Sequence, residues 1–202
     1  QVRRGSVAGA GAPDSSASSR SGSAAPPSAR DGRVPTGWRL VVTGLRDTAL
    51  ARGGGNLANP VKTVHDYPEK GRVLNETHVN DQRMTYWCGP TTMQMIAWTK
   101  KDPVRKQRYW AKQLGTTTSG TGITDMVRVI NSQTNWDKPE RAGTYVVLDI
   151  SDLTFGQWTL LIRRHVWDYR APMVFHPVLL KEFYPYLDDD ASGHYQVGRG
   201  YD

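Results

Sequence analysis

Apolar residues recur along the second half of this chain at two spacings, and the two spacings divide it into helices and strands. Ile123, Met126, Val127 and Ile130 follow i, i+3, i+4, i+7 and define one apolar helical face. Phe155, Trp158, Ile162, His165, Val166 and Tyr169 recur at the same period and predict another helix. Between them Tyr145-Val-Val-Leu-Asp-Ile150 reads as a strand, as do Pro172-Met-Val-Phe-His176 and His194-Tyr-Gln-Val-Gly-Arg-Gly-Tyr201. Upstream, a helix is expected to start at or just after Cys88, because Pro90 in a first helical turn sacrifices no needed donor. A further helix is marked by Asp102 as N-cap, Pro103 just inside and Gly115 just past its end, with Val104, Ala111 and Leu114 facing inward.

Before Asn80 the pattern weakens. Trp38-Arg-Leu-Val-Val-Thr-Gly-Leu45 has the makings of a short strand, and the Gly-rich Arg52-Gly-Gly-Gly-Asn56 breaks whatever follows it. Residues 1–35 are nearly all Ser, Ala, Gly, Pro and Arg, a composition that buries too little apolar surface to offset the entropy of ordering a chain. The expected organisation is a disordered tail over 1–35, a loosely structured lead-in over 36–79 and one folded domain over 80–202. Helices precede strands in that domain, so it should be α+β, a helical layer packed on an antiparallel sheet. Cys88 then lies on the helical half and His194 on the strand half, with a cleft between them.

Composition narrows the function. The chain has 202 residues with a net charge of +7, and five arginines against two aspartates in the tail leave only +4 for the rest. Lys and Arg are scattered rather than clustered with aromatics, which argues against a nucleic-acid groove. No run approaches the roughly 20 apolar residues that cross a bilayer, so no membrane span is expected. One cysteine rules out an internal disulfide and identifies the only thiol that can react. With one Cys and dispersed His there is no zinc set, and Gly53-Gly-Gly55 lacks the Lys-Ser/Thr of a phosphate loop, so no cofactor is expected. Asp188-Asp-Asp190 reads as an exposed acidic turn.

The chemistry concentrates at Cys88. Only the thiolate attacks carbonyls, and a helix N-terminus, with unpaired N–H groups and a positive dipole end, favours that anion. Gln82, six positions earlier, is near enough to join the Cys88 N–H in donating to an oxyanion. Gly89 would let a substrate approach the backbone closely, and Trp87 would wall the cleft. The bland alternative is that a cysteine before an apolar helix is simply a small buried hydrophobe.

Two segments set that alternative aside. Gln82-Arg-Met-Thr-Tyr-Trp-Cys88-Gly-Pro-Thr-Thr-Met-Gln-Met-Ile96, followed downstream by Ser192-Gly-His-Tyr-Gln-Val-Gly-Arg-Gly-Tyr-Asp202, resembles the bacteriocin-processing, double-glycine leader peptidase family and its stand-alone relatives. Leu114-Gly-Thr-Thr-Thr-Ser-Gly-Thr121 is similar to the Gly-Thr-rich turn between helices in that family. The resemblance implies a papain-like cysteine peptidase fold with Cys88 as nucleophile, His194 as base and Gln82 in the oxyanion hole. It implies a peptide or protein substrate, a monomer, and a secreted or cell-surface bacterial setting. His165 is expected to be a packed core residue, with His176, His65 and His78 badly placed to serve as the base. The family places an Asp or Asn on the strand after the histidine. The given sequence ends eight residues past His194, and the expectation is a truncated chain whose missing segment carries that acid. Transamidation, cell-wall amide hydrolysis and peptide binding without turnover are the alternatives that the same site allows.

Overall fold

The computed structural model describes residues 38–44, 62–75, 77, 79–98, 105–182, 185, 188, 190 and 193–202. Four α-helices are described: α1 (Cys88–Ile96), α2 (Gln107–Leu114), α3 (Ile123–Gln133) and α4 (Phe155–Trp167). The strands are β1 (Trp38–Gly44), β2 (Gly71–Arg72), β3 (Tyr145–Asp149), β4 (Met173–Pro177), β5 (Gln196–Gly198) and β6 (Gly200–Tyr201). Four of them form an antiparallel sheet in the order β3-β1-β4-β5, while β2 and β6 pair separately.

Strand alternation decides what covers each face of the sheet. Successive strand side chains point to opposite faces, and neighbouring residues of β1 and β4 accordingly join different cores. Val42 and Val174 pack with Met93, Ile96, Trp110, Leu114, Met126 and Ile130 from α1, α2 and α3. Val41 and Met173 pack instead with Leu148, Ile150, Trp158 and Leu161, on the side of α4. The fold is α+β as expected, with helices on both faces of the antiparallel sheet rather than one. Buried on both faces, β1 reads as a short apolar run, and it is bonded to β3 on one edge and β4 on the other. This strand comes from the 36–79 lead-in, so the packed unit draws on residues before position 80.

The helix ends follow local chemistry. Helix α4 starts at a capping box in which the Thr154 hydroxyl accepts from the Gln157 N–H (3.2 Å) and the Gln157 side chain accepts from the Thr154 N–H (2.9 Å). Helix α2 ends at Gly115, left-handed at φ 62°, as a glycine past a helix end should be. Its start differs from expectation: the first helical residue is Gln107 and Lys106 before it is extended. The proposed cap at Asp102 and Pro103, and Val104 with it, fall outside the described residues. Buried Gln107 explains the late start, because its side chain is committed outside the helix, donating to the Asp81 carbonyl (2.8 Å) and accepting from the Arg83 N–H (3.0 Å). The expected last strand is divided. Its first part, β5, extends the main sheet beside β4, and its second part, β6, leaves it to pair with β2.

Candidate functional site

Cys88 is the first residue of α1. The Thr91 N–H makes the first helical bond to the Trp87 carbonyl (2.9 Å), and Trp87 is held by a turn in which its N–H donates to the Met84 carbonyl (3.0 Å). The N–H of a first helical residue has no acceptor within its helix. Pro90 stands two residues on, where the missing N–H removes no helical bond. One thiol is thus held, half-buried, at the positive end of a helix.

His194 arrives from the other side. Its backbone N–H donates to the Pro177 carbonyl (3.0 Å), which fixes the residue at the end of β4 as the chain enters β5. The ring is half-buried, and loss of hydration lowers its pKa from the usual histidine value. Among the described residues the ring has no hydrogen-bond partner. Its neighbour His176 is shifted the same way, first by burial and also by the charge of His194.

Besides the shared apolar core, one hydrogen bond ties the strand side to the helical side, and two contacts within the helical side brace it. The Tyr195 hydroxyl donates to the Thr121 carbonyl (3.0 Å), tying the strand side to the loop before α3. Thr121 shares a hydroxyl hydrogen bond with Thr116 (2.7 Å) across the Thr-rich turn. That same Thr121 packs on Gly89, where a Cβ would collide with its Oγ1. Gly89 is therefore buried in a close approach of α1 to the loop. Burial and nearby negative groups push the Tyr195 phenol above its usual range, so it remains a donor across the working pH range.

The result is a cleft of about 440 Å³ whose walls include Gln82, Cys88, His194, Thr91, Thr92, Met95, Gln196 and Arg199. Cys88, Thr91, Thr92 and Met95 stand at i, i+3, i+4, i+7, so one stripe of α1 forms a wall running away from the thiol. Gln82, Cys88 and His194, far apart in sequence, thus share one cavity. Gln82 is exposed, and its side-chain amide donates one bond to the Thr85 carbonyl (3.1 Å), leaving a second N–H. Trp87 and Gly89 are not among the lining residues: the Trp87 ring meets Tyr86 edge-on, and Gly89 faces Thr121. The sequence reading passed over Thr91, Thr92 and Arg199, although the helical spacing of the two threonines from Cys88 was there to find.

The remaining histidines and acids have other roles. His165 is fully buried. Its Nε2 accepts from the Gly44 N–H (3.2 Å), its Nδ1 lies 2.8 Å from the Ala171 carbonyl, and desolvation lowers its pKa to about 4. It is a core residue, as its place on the apolar face of α4 suggested. Asp188 and Asp190 are exposed and engage Lys181, whose N–H donates to the Asp190 carboxylate (2.7 Å) and whose Nζ donates to the Asp188 carbonyl (2.6 Å).

No curated protein and no solved structure matches the chain. Residues 73–202 match the Peptidase_C39 like family, a span that holds the four described α-helices, the cleft and both segments that carry the earlier resemblance. By that match, which covers well over half of its residues, the chain belongs to the Peptidase_C39 like family.

Proposed function

We propose that this protein is a cysteine peptidase in which Cys88 is the nucleophile, His194 the general base and Gln82 a donor to the oxyanion. The observation that carries this reading is the shared cleft: the only thiol, at a helix N-terminus, lines the same cavity as a half-buried histidine. Burial keeps the imidazole in its neutral form, the form that accepts a proton. In the first step His194 takes the proton from Sγ, and sulfur attacks the scissile carbonyl carbon. The carbonyl electrons move to oxygen, and that oxyanion accepts from the Cys88 N–H and the free N–H of Gln82. Collapse expels the amine, which takes the proton from His194, and leaves a thioester. Water, deprotonated by His194, then attacks the thioester and releases the acid, and the proton on His194 returns to sulfur to restore the thiol and the neutral imidazole.

A second reading, peptide binding without turnover, is favoured by one feature: among the described residues no acid orients the His194 ring. Alkylation of Cys88 by iodoacetamide, followed against pH with and without His194→Ala, separates the two. The peptidase reading expects alkylation that stays fast below about pH 7 and falls by at least about tenfold at pH 6 in the variant. A rate that simply tracks an ordinary thiol near pKa ~8.5 in both proteins sinks it.

A further inference from the structure

Among the described residues lining the cleft, Arg199 is the one arginine or lysine, while other arginines of the fold spend donors on the protein itself. Arg128 donates to the Asp125 carboxylate and to the Gln113 carbonyl (both 2.9 Å). Arg141 donates to the Arg170 carbonyl (2.7 Å), and Arg163 to the Val64 carbonyl (2.6 Å). Arg199 also lies partly buried, and the Nη1 of its guanidinium is buried with no hydrogen-bond partner. Its backbone is committed, since the Arg199 carbonyl accepts from the Val73 N–H (2.8 Å), so the residue is held at the cleft by β-type pairing. A guanidinium nitrogen withdrawn from water without an acceptor is costly, and that cost is recovered when an anion or carbonyl reaches it.

Two more polar atoms in the same wall share this condition. The Oγ1 atoms of Thr91 and Thr92 are buried without partners, on the stripe of α1 that leads from Cys88. Hydroxyls and a guanidinium are all able to donate to one kind of group, a carboxylate. Among the described lining residues Asp81 is the one acid, and it is exposed at the rim with no ion pair to Arg199. Arg199 also lines a second, shallow groove with Lys70, Arg72 and the acidic Asp202.

Resting on the peptidase reading of the cleft, we propose that Arg199 is a specificity-determining residue that binds a carboxylate of the substrate near the scissile bond, with Thr91 and Thr92 as supporting donors. That carboxylate is either an acidic side chain or a free C-terminus. A planar guanidinium receives it through two parallel N–H bonds, which Lys at the same position cannot reproduce.

Binding tests the proposal without requiring turnover. The full chain carrying Cys88→Ala is titrated with fluorescein-labelled hexapeptide pools, each fixing one position as Glu, Gln or Lys and ending in an amide. A parallel all-neutral pool ends in a free carboxylate. The expected result is a Glu pool, or the free-acid pool, bound about ten- to a hundredfold more tightly than its neutral counterpart. Which of the two shows the preference identifies the source of the carboxylate. Adding Arg199→Gln should remove the preference and Arg199→Lys should keep part of it. Equal binding of acid and neutral pools by the Cys88→Ala parent overturns the proposal even if no Arg199 variant folds. So does a preference that survives Arg199→Gln, or no binding up to millimolar peptide. The peptidase reading fails separately, through slow alkylation of Cys88 in the unmodified protein.

Discussion

Two histidines, 29 positions apart, sit in opposite kinds of surroundings. Around His165, α4 closes on β1 and the chain before β4 so tightly that both ring nitrogens are engaged by backbone, with Tyr145 and Tyr169 edge-on at 5.8 Å. Around His194 the packing stops short. The ring is half-buried on a cavity wall and nothing among the described residues bonds it. Burial lowers the pKa of both rings, so a lowered pKa alone would not separate them. What separates them is satisfaction: a buried polar group with its bonds made holds the fold together, and one left open beside a nucleophile is free to do chemistry. Arg199, Thr91 and Thr92 fall on the same side of that division as His194.

Replacing each histidine by leucine tests the distinction most strongly. His165→Leu leaves the Gly44 N–H and the Ala171 carbonyl without their partner, and should cost roughly 2–5 kcal/mol of stability by urea unfolding. His194→Leu should stay within about 0.5 kcal/mol of the parent in the same experiment while abolishing rapid alkylation of Cys88. If the two variants lose equal stability, the contrast between a structural and a chemical histidine collapses.

Acid should act next, and mainly through the structural site. Folded His165 takes up its proton only near pH 4, whereas in the unfolded chain an ordinary histidine does so near 6.5. Between those values the unfolded state binds more protons, so stability is complete above about pH 6.5 and is lost as pH falls towards 4. The full loss from this one group is about 3 kcal/mol. His176 and His194, lowered in the same direction, add to the decline in that window. Urea midpoints at pH 7.5, 6, 5 and 4 measure it, and His165→Leu should flatten the profile. An unchanged slope in that variant would place the acid sensitivity elsewhere.

The smallest effect sharpens the comparison from the cleft side. Gly89→Ala pushes a methyl against the Thr121 side chain, which also bonds Thr116 and whose carbonyl receives the Tyr195 hydroxyl. We expect a loss of about 1–3 kcal/mol, together with a slower thiol, because the seam beside the cleft that Cys88 and His194 line must open. A variant that loses stability but alkylates at the parental rate would mean that this seam does not position the pair.

Much of this was visible in the chain. The period-3.6 face of α3 and most of that of α4 lie on the helices observed, though Tyr169 falls past the end of α4 and Phe155 is exposed; the residue chosen to begin α1 does begin it, and Ala111 and Leu114 face inward. These features are local, set by side-chain spacing and by the residue types tolerated at helix ends. The late start of α2 was not legible, because buried Gln107 is bonded to Asp81 and Arg83, more than 20 positions earlier. Nor was the division of the last strand, where Gly200 and Tyr201 take a partner at Arg72 and Gly71 that no alternation pattern announces.

The sequence by itself determined the element types, the helix-borne thiol and, through two short segments, the resemblance to a peptidase family. Tertiary structure alone decided that Val41 and Val42 serve separate cores, that Gly89 belongs to a packing seam, and that Thr91, Thr92 and Arg199 share a wall with Cys88 and His194. The reason is range. Helix caps and apolar periods depend on residues within about a turn of one another. Whether a buried donor finds an acceptor depends on chain brought in from anywhere in the sequence, and only the folded arrangement decides which donors are left for a substrate.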